Sequence, residues 1–290
     1  MSGFVIMTDS SCDLPAPIAE QMELTVLPLY VDVDGQKYTN YLDEREISFA
    51  EIYAKLRTKC PAKTSAVNMN DFMEPMESLL RAGKDVLYIG FSSGLSGTYN
   101  AGAMAAQELA DKYPERKIFT VDSLSASMGQ GLLVWHAWKK KQGGASIEEV
   151  RDFVENTKLH LCHWFTIDDL MFLKRGGRIS GTTAVVGSML SIKPVMHMDN
   201  DGHLIKMGTA RGRKASIKAL ADKAGLLGES LDQQTIFISH GDCIEDANFL
   251  ADIMRSRYNV KDVVISYVGP VIGAHSGPGT VALFFLGRER

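Results

Sequence analysis

Three times in the first half of the chain a short apolar run ends in a loop crowded with hydroxyl groups and then gives way to a helical pattern. "FVIM" leads into "TDSSCD", "DVLYIG" into "FSSGLSGT", and "KIFTV" into "DSLSAS". The run "LTVLPLYVDV" and two amphipathic segments, beginning at Ser48 and Asn70, fall between them. Apolar runs this short read as strands, and strands alternating with helices predict an α/β unit with a largely parallel sheet flanked by helices. Such sheets gather ligands at the carboxyl ends of their strands. Each hydroxyl-rich loop follows an apolar run, so the three are expected to converge on one edge.

From His160 the texture changes. "HLCHWFTID" reads as a strand, "DLMFLKRGGRISG" as a short helix stopped by glycines, and "GHLIKMGTARGRK" as an extended segment after the turn "DNDG". A helix at "KASIKALADKAGLL" and further strand and helix patterns up to "TVALFFLG" complete a second, α+β unit. A chain of 290 residues exceeds the usual single core, which fits two units. The change of pattern puts the boundary near Lys158, giving an N-terminal α/β domain over 1–158 and a C-terminal α+β domain over 159–290.

A formal net charge of −4 argues against a chain that lives on nucleic acid or an anionic membrane, since both demand a strong basic field. The expected ligand is therefore small. Cys12, Cys60, Cys162 and Cys243 have no paired spacing, which fits reduced thiols in a cytoplasmic protein. The N-terminus lacks a signal-peptide pattern, and no apolar run reaches the roughly 18 residues of a membrane span. Asp9 and Asp13 of "TDSSCD" have no further ligand at metal-binding spacing, so they are read as turn or capping residues, and neither a metal nor a cofactor is expected.

"SSGLSGT", Ser92 to Thr98, admits three readings. A nucleotide phosphate loop would need a lysine after its glycines, and none follows. A nucleophilic serine would need the G-x-S-x-G spacing, which "GLSGT" lacks. The third reading is an anion site in which a helix N-cap hydroxyl and its neighbouring N–H groups hold a carboxylate without attacking it. Ser96 is the expected N-cap, because the alanine-rich segment after it is strongly helical. A plain capping serine is the ordinary structural alternative.

"TDSSCDLP", "PAKTS", "SSGLSGTYNA", "KRGGRIS", "SIKPV" and "GAHSGPGT" appear in an order that resembles the DegV family, and the resemblance spans nearly the whole chain. It implies a two-domain fold that binds one long-chain fatty acid in the interdomain cleft, acyl chain buried and carboxylate hydrogen-bonded at the loops. Carried over motif by motif, Thr64 and Ser96 would bind the carboxylate, with Ser93 near by. The resemblance also implies a partner, a fatty acid kinase, to which the bound acid is presented for phosphorylation. Arg211 of "TARGRKA" and His275 of "GAHSGPG" match positions associated with that transfer, where a guanidinium and an imidazolium would face crowded negative charge. Arg213 lies close enough in sequence to be confused with Arg211. The chain departs from the family after the hydroxyl pair, reading "TSAVN" where Gln-Pro-Ser often follows.

The implied activity is that of a carrier and not an enzyme. The readings set against it are a serine hydrolase of small esters, with His275 as base, and a lipid sensor with no kinase partner. Arg175 and Arg178 of "RGGR" could bind phosphate, but basic residues around two glycines also make an ordinary helix stop, the preferred reading. Met171, Met189 and Met196 are candidates both for an adaptable acyl tunnel and for ordinary core packing.

Overall fold

A computed structural model describes residues 3–179 and 191–290. Ser180 of the "KRGGRIS" motif and Met189 lie outside the described residues. The first sheet is built from β1 (Phe4–Asp9), β2 (Thr25–Leu27), β6 (Asp85–Gly90) and β7 (Ile118–Asp122), in the order β2-β1-β6-β7. Every pairing in it is parallel. All six residues of β6 are buried, as a strand covered on both faces requires. Helices α2 (Phe49–Arg57), α3 (Met69–Arg81) and α6 (Ile147–Thr157) each start with a reciprocal capping box, from Ser48, Asn68 and Ser146 respectively.

The run "LTVLPLYVDV" does not form one strand. Pro28, which has no N–H to donate, stands between β2 and β3 (Tyr30–Val33). With β4 (Gln36–Thr39) and β5 (Ala62–Ser65), β3 makes a separate three-stranded antiparallel sheet in the order β4-β3-β5. Asp34 and Gly35, both at positive φ, make the two-residue hairpin loop between β3 and β4.

The second half forms a six-stranded sheet in the order β10-β9-β8-β13-β11-β12. Its strands are β8 (Leu161–Thr166), β9 (Ile192–Met198), β10 (Leu204–Arg211), β11 (Thr235–His240), β12 (Asp262–Tyr267) and β13 (Val281–Leu286). All pairings are antiparallel except β11 with β12. This is the mixed sheet expected of an α+β unit.

Helix α5 (Met128–Gln142) joins the two halves. Met128, Leu132, Leu133, Val134 and Ala137 are fully buried in a core that also takes Ile6 and Ile89 from the parallel sheet and Phe237 and Phe284 from the mixed one. A helix buried on several faces cannot carry a clean amphipathic stripe. Gly131 allows the close fit, since a Cβ there would lie 2.6 Å from the Cys12 carbonyl oxygen.

The three hydroxyl-rich loops do converge. Asp9 Oδ2 accepts from the Tyr88 hydroxyl and the Phe91 N–H, each at 3.0 Å. The Ser92 N–H donates to the Ser125 carbonyl at 3.0 Å, and Ser127 Oγ donates to Asp13 Oδ2 at 2.6 Å.

Candidate functional site

A cavity of about 240 Å³ lies where those loops meet β5 and the face of the six-stranded sheet. β5 contributes Thr64 and Ser65, the loop after β6 contributes Phe91 and Ser96, and the mixed sheet contributes Phe165, Ser239 and Ala282. Val271, Ile272 and His275 enter from α10 (Pro270–Ser276). Ser65 and Gly97 are exposed, whereas Phe165, Ser239 and Ala282 are buried. The cavity therefore has an open end rich in hydroxyls and a closed end set deep against the sheet.

Thr64 faces inward because β5 alternates, half-buried at Ala62 and Thr64 and exposed at Lys63 and Ser65. Pairing of β3 with β5 sets Thr64 opposite Val31. Its hydroxyl meets His275 Nε2 at 2.8 Å across 211 residues of sequence. With the proton on Nε2, the imidazole donates to Thr64 Oγ1 and leaves the Thr64 O–H free to donate into the cavity. His275 Nδ1 is buried with no hydrogen-bond partner among the described residues.

The imidazolium expected at His275 is corrected by its surroundings. Burial first, and then the Arg178 guanidinium, push its pKa down to about 4, so the ring is neutral at physiological pH. His136, His197 and His240 are pushed to about 4, each chiefly by burial, and His163 is shifted in the same direction. Below the ordinary histidine value of about 6.5 the unfolded chain binds more protons at these five sites than the folded one, so their stabilisation is lost as pH falls toward 4. Asp9 and Asp13 are raised by burial and oppose this trend, but they are outnumbered. The melting temperature is expected to drop steadily between pH 6.5 and 4, and a flat thermal-melt profile across that window would contradict buried neutral histidines.

Ser96 lines the cavity, but it is not the cap of α4 (Thr98–Lys112). That position falls to Gly97, which offers no side-chain bond. The loop first makes a turn around the Ser92 carbonyl, which accepts from the N–H groups of Leu95 and Ser96, and this delays the helix. Ser96 Oγ accepts from the Thr98 N–H at 3.2 Å and lies 2.9 Å from Thr98 Oγ1. Among the described residues Ser96 makes no hydrogen bond to His275 and no carboxylate bonds the His275 ring, so Ser96, His275 and an acid do not form the linked nucleophile, base and orienter of a hydrolase there.

Ser93 does not reach the cavity. The same turn exposes it, with its N–H directed to the Asp122 carboxylate at 3.2 Å, while the neighbouring Ser92 hydroxyl is buried and donates to the Gly202 carbonyl at 2.8 Å. Arg211 also lies outside. It is exposed at the end of β10, opposite Ile192, beside a shallow surface groove. Arg213 is committed to Asp246 at 2.8 Å.

Arg178 belongs to the helix stop expected at "RGGR" and is also a wall of the cavity. Helix α7 (Leu170–Arg175) does end at the glycine pair, but Arg178 then turns in toward His275. Gly176 packs against the imidazole closely enough to signal that tight fit. Met171 is exposed and Met196 is buried in the core, and neither lines the cavity. Asp9 caps the short turn Ser10–Cys12 by accepting from the Ser11 N–H.

The protein-family model of the uncharacterised DegV proteins matches residues 3–288. A DegV domain-containing protein of Clostridium perfringens is 45% identical over 290 residues, covering 100% of this chain and 99% of the relative. A DegV lipid-binding protein of Thermotoga maritima superposes with a TM-score of 0.86 at 29% identity, over 99% of both chains. A DegV protein of Thermus thermophilus, described by its fatty acid binding, has a TM-score of 0.86 at 29% identity, over 98% of this chain and 99% of its own. The match runs from the first strand to the last and includes every loop that builds the cavity, so the chain belongs to the DegV family.

Proposed function

We propose that this protein binds a long-chain fatty acid, with the carboxylate at Thr64 and Ser96 and the acyl chain threaded toward the six-stranded sheet. The carrying observation is the polarity of the cavity: hydroxyls, His275 and Arg178 at the open end, and Phe91, Phe165 and Val271 along the walls. Burying about a dozen methylenes at ~0.8 kcal/mol each gives on the order of 10 kcal/mol before the cost of association. The tail supplies affinity and the hydroxyls supply orientation. A neutral His275 fits this role, since it holds the Thr64 proton toward the ligand without bringing a fixed charge of its own.

The exposed head-group end also fits presentation to a fatty acid kinase, which would phosphorylate the carboxylate to an acyl phosphate while the tail stays buried. In this reading the protein is a carrier and the partner supplies ATP chemistry. Arg211, exposed on β10, would act from the surface as part of the partner contact and not from within the cavity.

Lipid extracted from the purified, denatured protein should contain a stoichiometric long-chain fatty acid by mass spectrometry. Thr64→Val and Ser96→Ala should each weaken binding by about 1–3 kcal/mol, the loss of one hydrogen bond to a charged group. An unchanged affinity in both variants would place the head group elsewhere. Acyl phosphate should form only when a bacterial fatty acid kinase catalytic subunit and ATP are added, and failure of that assay with a loaded carrier would remove the presentation role.

A further inference from the structure

The closed part of the cavity is not purely apolar. Ser127 and Ser239 both line it, their hydroxyl oxygens 3.0 Å apart. Ser127 Oγ also lies 2.6 Å from Asp13 Oδ2, forming a chain that runs from a fully buried carboxyl group to the cavity wall. Ser239 sits on β11 opposite Ala282, which in turn pairs with Phe165, so the serine hydroxyl stands beside the smallest side chain of that row. Ser276, another cavity residue, is buried with its hydroxyl unpartnered among the described residues. The wall thus offers hydrogen-bonding capacity that an unsubstituted alkyl chain would leave unused, at a cost.

Capping does not explain Ser127. It stands at the N-terminus of α5 yet makes no side-chain bond to that helix. Its backbone, at φ 53 and ψ −147, occupies a region that glycine enters freely and other residues enter only under strain. The chain nevertheless carries a hydroxyl here, tied to Asp13 on one side and Ser239 on the other.

We propose, resting on the fatty acid reading above, that Ser239 and Ser127 form a second polar subsite that receives a hydroxyl group carried along the acyl chain, so that the ligand class includes hydroxylated fatty acids. The chain of hydroxyls can run in either direction. With Asp13 ionised, Ser127 donates to it, Ser239 donates to Ser127, and Ser239 offers only lone pairs to the cavity. With Asp13 protonated on Oδ2 the order reverses and Ser239 donates. Burial raises the Asp13 pKa to about 8, so both arrangements are accessible near neutrality. An alcohol both donates and accepts and satisfies either one, whereas a ketone satisfies only the second.

The test compares octadecanoic acid with hydroxyoctadecanoic acids, substituted at successive mid-chain carbons, binding to the delipidated full-length protein, its Ser239→Ala variant and its Ser127→Gly variant. The glycine variant relieves backbone strain while deleting the hydroxyl, which guards against a folding failure. At least one positional isomer should bind the unmodified protein as tightly as octadecanoic acid, and both variants should shift the ratio of the two dissociation constants against it by about tenfold. Rejection of every hydroxylated isomer by more than about tenfold, or a ratio identical in all three proteins, overturns this subsite alone. If neither class of acid binds the unmodified protein, the fatty acid reading falls with it. A purely structural role for the three linked residues would move melting temperatures without moving the ratio.

Discussion

Ala282→Phe is expected to empty the protein of lipid without unfolding it. Ala282 lies on the central strand β13, between β8 and β11, and its side chain faces the cavity between Phe165 and Ser239. A benzyl group there projects into existing space, so the overpacking cost of a filled core is largely avoided. In the proposed pose it stands in the path of the acyl chain. Blocking about five methylenes of burial at ~0.8 kcal/mol each removes about 4 kcal/mol, or roughly a thousandfold in affinity. Mass spectrometry of retained lipid and calorimetric titration of the delipidated variant give the reading. Its melting temperature should match or exceed that of delipidated unmodified protein. Retention of lipid at unchanged affinity would mean that the tail does not run along this sheet.

Gly176→Ala should destabilise the protein through a single added methyl at the cavity wall. A Cβ at that position would lie 2.1 Å from His275 Nδ1. The glycine has φ −73, which alanine adopts easily, so backbone strain does not confuse the result. The imidazole must move, and its bond to Thr64 moves with it. A destabilisation of about 2–3 kcal/mol is expected, in the range of overpacked cores, together with weaker lipid binding. The double variant with His275→Ala removes the obstacle and should recover most of the loss. Strictly additive effects in that double-mutant cycle would show that the two residues do not press on one another.

The alternation of apolar runs and helical patterns was enough to anticipate the parallel sheet, because period and length are local properties and β1, β6 and β7 each end in a recognisable loop. The start at Ser48 was legible in the same local way, whereas the expected start at Asn70 lies inside α3, whose capping box is set by Asn68. The antiparallel sheet of β3, β4 and β5 was not legible, since four-residue strands carry little period and Pro28 hid the break inside one apolar run. The loop after β6 illustrates the limit at finer scale. Ser92, Ser93 and Ser96 look alike in sequence, and only the path of the turn around the Ser92 carbonyl decides that Ser96 lines the cavity while Ser93 points to solvent.

By itself the sequence determined which local elements form and where hydroxyl groups and glycines cluster, because those depend on neighbours within a few residues. The tertiary structure alone decided that Thr64 meets His275, that Arg178 turns in beside it, that Arg211 stays outside, and that Asp13, Ser127 and Ser239 join in one chain. The protonation state of His275 belongs with these, since it follows from burial and from a guanidinium far away in sequence. Contacts between distant segments, and the low dielectric they enclose, arise only when the two sheets close on α5.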